Sequence, residues 1–117
     1  MTFQSGNLTP VPIDANSKGV VGTYRAMVSG AQTVATAGVP VQLISTPTEA
    51  KRLDVTAGYG NTDMITVGGS GVVGAQTGRK GVPIASGNTY TFTITDVSLV
   101  WIDAVHSGDT VSFNYFY

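Results

Sequence analysis

A single antiparallel β-sandwich, jelly-roll-like, with an extended N-terminal arm is the fold this sequence predicts, on three observations. The C-terminal third alternates apolar and polar residues with a period of two. Turn-forming Gly, Pro, Asn, Asp and Ser recur at roughly 8–12-residue intervals along the chain. No segment sustains a 3.6-residue apolar period, because Gly or Pro interrupts almost every window long enough for a helix. The exception is Pro47-Thr48-Glu49-Ala50-Lys51, which could form one helical turn.

The elements follow in chain order. Residues 1–19 read as the arm and residues 20–117 as the domain. In the arm, Leu8-Thr9-Pro10-Val11-Pro12-Ile13-Asp14 is extended and polyproline-like, since each proline disfavours the helical region for the residue before it. Asn16-Ser17-Lys18-Gly19 is a turn or linker. A mere spacer would not need Phe3, Leu8, Val11 and Ile13, so these four apolar residues are the candidate partner-binding positions. The first strand is expected over residues 20–29, with Tyr24, Ala26 and Val28 on one face. Short strands are expected at 33–35, 39–44, 52–57 (Leu53 and Val55 inward) and 64–67. The glycine-dense passage 68–81 contains at most a short strand at Val72-Val73. Val82-Pro83-Ile84 then leads into a turn at Ala85-Ser86-Gly87-Asn88.

Three strong alternations complete the sheet. In Thr89-Tyr90-Thr91-Phe92-Thr93-Ile94-Thr95, the large apolar residues point one way and four threonines the other. Val100, Ile102 and Ala104 interleave with Leu99, Trp101 and Asp103. Val111, Phe113, Tyr115 and Tyr117 interleave with Ser112, Asn114 and Phe116. This last run has neither charge nor proline, so an exposed edge position would template aggregation. It must sit centrally in a sheet or be covered by another subunit.

Composition narrows the function. A chain of 117 residues suffices for one core, burying roughly 65% of its unfolded surface. With no cysteine, disulfides and thiolate metal sites are excluded. The polar, uncharged start lacks the pattern of a signal peptide, and no apolar run nears the ~20 residues of a membrane span. A soluble protein made in a cytoplasm is expected, with no membrane partner. Only 11% of residues are charged, against about 25% in an average domain. Six basic and seven acidic residues are scattered, so no basic stripe exists for nucleic acid. In their place stand 16 Thr, 9 Ser and 15 Gly. Such a weakly charged surface suits a protein packed in many copies, although it also describes a simple Thr-rich sandwich.

The motifs that could carry chemistry fail on context. Gly69-Ser70-Gly71-Val72-Val73-Gly74 spells a dinucleotide fingerprint, but the glycines and Pro83 that follow forbid the helix whose N-terminus would hold a pyrophosphate. Residues 74–80 fall one residue short of a phosphate loop, and no Ser or Thr follows Lys80. Asp103, His106, Ser107 and Asp109 crowd together. Yet His106-Ser107-Gly108-Asp109 reads as a hairpin turn, with Gly supplying a positive φ and Asp bonding its own backbone. Asp103, His106 and Asp109 could form an open divalent site, but a solvated turn is the expected reading. Asp14, Asp54, Asp63 and Asp96 stand apart as turn or strand-end residues. Trp101, Tyr115 and Tyr117 could stack a sugar or base, but their strand spacing assigns them to the core. The sequence nominates no catalytic residue, no cofactor site and no metal ligand, and predicts a non-enzymatic protein.

Four passages in order carry a family resemblance. Gly38-Val39-Pro40-Val41-Gln42-Leu43 looks like an opening strand before a Pro-containing turn. Gly60-Asn61-Thr62, leading to Ile65-Thr66-Val67-Gly68-Gly69-Ser70, looks like an Asn-Thr and Val-Gly strand. Pro83-Ile84-Ala85-Ser86-Gly87 looks like a Leu-x-Pro-Gly turn, with Ser86 where Pro is commoner. Val100-Trp101-Ile102-Asp103-Ala104 with Ser107-Gly108-Asp109-Thr110-Val111 looks like a closing hairpin. In these the stretch from Val34 to Tyr117 resembles small β-sandwich virion structural proteins of tailed bacteriophages. The resemblance implies a head decoration (cement) protein, a homotrimer whose partner is the major capsid protein on the capsid surface. A tail- or fibre-associated module recognising a host surface glycan is the alternative it implies. It brings no catalytic residues and leaves residues 1–33 unassigned.

Overall fold

The computed structural model describes residues 23–117. Eight strands form two four-stranded antiparallel sheets: β1 (Met27–Thr33), β2 (Val41–Gln42), β3 (Arg52–Ala57), β4 (Ile65–Gly68), β5 (Val82–Ile84), β6 (Thr89–Phe92), β7 (Trp101–Ala104) and β8 (Thr110–Phe116). The first sheet has the order β1-β8-β3-β6 and the second β2-β7-β4-β5. Strand partners are nested, first with last, second with seventh, third with sixth and fourth with fifth. That nesting is the double Greek key of a jelly roll.

Period-two patterning builds the core between the sheets. Leu53, Val55 and Ala57 of β3 alternate inward, and Val111 and Phe113 of β8 do the same. They meet Ile65 and Val67 of β4, Ile84 of β5, and Ile102 and Ala104 of β7. Burial of each large aliphatic side chain contributes about 1.5–3 kcal/mol. The uncharged terminal strand β8 is flanked by β1 and β3, so its edges are satisfied within the chain.

Several elements differ from the sequence reading. The first strand starts at Met27 and not near residue 20, and residues 20–22 lie outside the described chain. Tyr24, Ala26 and Val28 do not share a face. The N–H groups of both Arg25 and Ala26 donate to the Tyr117 carbonyl, a bulge that turns Tyr24 onto the outward-facing ring of Phe116. No separate strand forms at 33–35. Thr33 ends β1, and Val34 N–H continues the ladder by donating to the Asp109 carbonyl. The expected strand 39–44 shrinks to Val41–Gln42, beside the donorless Pro40. Val72-Val73 yields one bridge, Val73 to Lys80. No helical turn forms at residues 47–51. Glu49 bridges Asp96 instead, and the one 3-10 turn among the described residues is Val97–Leu99, N-capped by Asp96.

Candidate functional site

Both β1 and β2 are terminal strands, and they lie on the same side of the sandwich. Because β2 is only two residues long, it leaves the inner face of β1 largely uncovered. A cleft of about 620 Å³ results, within the size range of ligand pockets. Val28 and Gly30 of β1 and Phe113 and Tyr115 of β8 line one side; residues 40–45 and Trp101 line the other. A smaller recess of about 250 Å³ continues it past Val28 and Tyr115 to Tyr117, Thr48 and Glu49. Together they form a mainly apolar groove parallel to β1.

Glycine shapes this groove. A Cβ on Gly30 would lie 2.5 Å from Cζ of Phe113, so the ring occupies the space a side chain would take. At the far end, the Gln32 side-chain amide donates to the Gln42 carbonyl at 2.9 Å and closes the gap between the sheets.

The edge of β1 beside the groove is unpaired among the described residues. Its ladder to β8 runs from Tyr117 N–H on the Ala26 carbonyl to Val34 N–H on the Asp109 carbonyl. Antiparallel pairing alternates, so the even-numbered residues bond to β8. The odd-numbered Met27, Ser29 and Ala31 turn their N–H and C=O groups outward, and all three are exposed.

The expectation that Trp101, Tyr115 and Tyr117 sit in the core is corrected. All three are half-buried and flank the open side, with the Tyr115 and Tyr117 rings 6.3 Å apart. Arg25 stacks over Tyr117 at 5.2 Å, and Arg52 over Phe116 at 5.1 Å. Arg52 also pairs with Asp54 at 3.1 Å, which raises its guanidinium pKa further above the usual arginine value.

The acidic turn is also corrected. Asp103 and Asp109 are buried, at 2% and 4% exposure, and do not belong to a solvated turn. Asp103 accepts from Gly38 N–H at 2.9 Å and Gly74 N–H at 2.8 Å. It thereby pins two loops over the outer face of the second sheet. Gly74 approaches so closely that a Cβ there would meet the Ala104 nitrogen at 2.7 Å. Asp109 does not bond its own backbone; it accepts from Thr62 N–H at 2.9 Å and Asp63 N–H at 3.3 Å. The two carboxylates therefore serve different loops, and among the described residues they do not converge with His106. Gly108 has the expected positive φ, at 92°. A second groove of about 750 Å³ lies over Asp103 between these loops, with His106 on its rim.

Asp96 accepts from Thr48 N–H, Ser98 N–H and the Ser98 hydroxyl. Those donors, Thr48 first, hold its carboxyl below the usual aspartate value. Sequence reasoning missed these aspartate roles, because the donors lie up to 65 residues away. It also missed the groove, which no single strand encodes. The arm positions Phe3, Leu8, Val11 and Ile13 lie outside the described residues. No protein-family model, curated protein or solved structure matches the chain.

Proposed function

We propose that this protein is a non-enzymatic decoration (cement) protein of a phage head, a homotrimer that binds the major capsid protein of the assembled shell. The observation that carries the reading is the outer face of the first sheet. Ser29, Ala31, Thr33, Ser112, Thr56, Thr89 and Thr91 form a hydroxyl-rich face whose charges are the mutually paired Arg52 and Asp54. Such a face packs against many copies without like-charge repulsion. The buried carboxylates, spent on backbone N–H groups, agree with a structural rather than a catalytic role.

Stabilisation would follow mass action. Binding the assembled lattice alone stabilises it by RT ln(1 + [L]/Kd), about 2.7 kcal/mol per site at a hundredfold excess over Kd. Cosedimentation with empty capsids tests this. Saturable binding that raises the capsid melting temperature is expected, and a protein left entirely in the supernatant sinks the proposal. The alternative, a fibre-associated module for a host glycan, draws support from Trp101 and Tyr115 beside the groove. Sedimentation with host cells and not with capsids would favour it.

A further inference from the structure

We infer that the groove along β1 receives the N-terminal segment of a neighbouring copy, with residues 9–13 adding a strand to the free edge of β1. The inference rests on the trimer reading above and gives that assembly a mechanism. Three observations support it.

The edge and the groove lie side by side. Met27, Ser29 and Ala31 offer outward N–H and C=O groups, and Val28, Gly30 and Tyr115 line an apolar slot next to them. Edge groups and a row of pockets together are what strand addition uses: main-chain bonds for affinity, alternate side chains for specificity.

The segment has the complementary chemistry. In an extended strand, alternate residues direct their N–H groups to opposite edges. Pro10 and Pro12 share one edge and cannot donate. Thr9, Val11 and Ile13 share the other and keep their donors. Paired through 9, 11 and 13, the segment turns its proline edge to solvent, which also stops a further strand from adding. Added parallel to β1, Val11 and Ile13 lie on the face opposite the side chains of Met27, Ser29 and Ala31, and so enter the slot.

The described chain begins beside the end of the groove, with a long segment before it. Arg25 and Ala26 bond to Tyr117, which lines the end of the groove, so the segment before Thr23 starts close to this side of the sandwich. An arm on its own groove would join no copies, so the trimer reading assigns it to the next one. Twenty-two residues precede Thr23, enough to span roughly 70 Å when extended. Each arm seated on the next copy closes a threefold ring and leaves no groove unfilled.

The only tryptophan, Trp101, lines the groove and reports its occupancy. The test compares the full chain with its V11D/I13D variant, reading mass by light scattering and Trp101 emission with acrylamide quenching. Circular dichroism confirms that the variant remains folded. The expected result is loss of the threefold mass together with a red-shifted, more quenchable Trp101. Exposure of Trp101 at unchanged mass means that the arm sits on its own chain, and overturns the inference. Loss of mass with unaltered Trp101 means that the arm seats elsewhere, and overturns it too. A variant unchanged in both readouts refutes the inference while leaving the trimer intact. A wild-type chain that is monomeric refutes the trimer reading itself.

Discussion

Aspartates hold this sandwich together at its loops, and they do so at the level of single atoms. Asp103 satisfies two backbone donors, on Gly38 and Gly74. Asp103→Ala orphans both, at about 1–3 kcal/mol for each donor left unsatisfied. Urea denaturation should show a loss of that order, and Asp103→Asn, which keeps one acceptor oxygen, a smaller one. An unaltered midpoint in the alanine variant would remove Asp103 from the stabilising contacts. Asp96 has a pH signature. Its folded pKa lies below the ordinary value of 3.8, so its contribution is complete above that value and fades as pH falls through the lower folded pKa. Asp96→Asn should lower the melting temperature at pH 7 and narrow its gap to wild type in that acid range. A gap that stays constant down to pH 2 would contradict the assignment.

Among the elements, β1 and β8 show how one glycine sets a packing surface. Gly30 lies opposite Phe113 in the register, and the ring covers the glycine. Gly30→Ala places a methyl inside that ring, so a loss of about 1–3 kcal/mol is expected from overpacking. In a Phe113→Leu background the same substitution should cost less, since the clashing atoms are gone. A double-mutant cycle measures this, and additive effects would mean that the two residues are not coupled. The same strand pair resolves the aggregation hazard of residues 111–117. With β8 paired on both sides, the edges of the first sheet are β1 and β6, and β1 turns the main-chain groups of residues 27, 29 and 31 outward.

For the whole molecule, the nested pairing brings the ends of the described chain together, with β1 beside β8. The central place of β8 removes the terminal strand as the reason to expect oligomerisation. Under the proposed function, size-exclusion chromatography with light scattering should give about three times 12.1 kDa. A clean monomer at tens of micromolar would count heavily against the trimer.

Period-two patterning carried the fold class, most of the strands and the inward aliphatic residues, but not Tyr90, which is exposed on β6. Arg52–Ala57 is a strand over the bounds its pattern predicts, and Leu53, Val55, Ile102, Val111 and Phe113 are buried as read. Period two is a local property, so it survives without knowledge of the partners. Tertiary structure alone decided what depends on distant residues. The first strand slid to Met27–Thr33 because its register is set by β8, more than 75 residues later. Asp103 and Asp109 became buried because loops from elsewhere fold over them. Trp101 and Tyr115, apolar enough for a core, line an open groove because β2 stops after two residues. Which side of a sandwich stays open depends on how far each sheet reaches over the other, and no alternation along one strand records that.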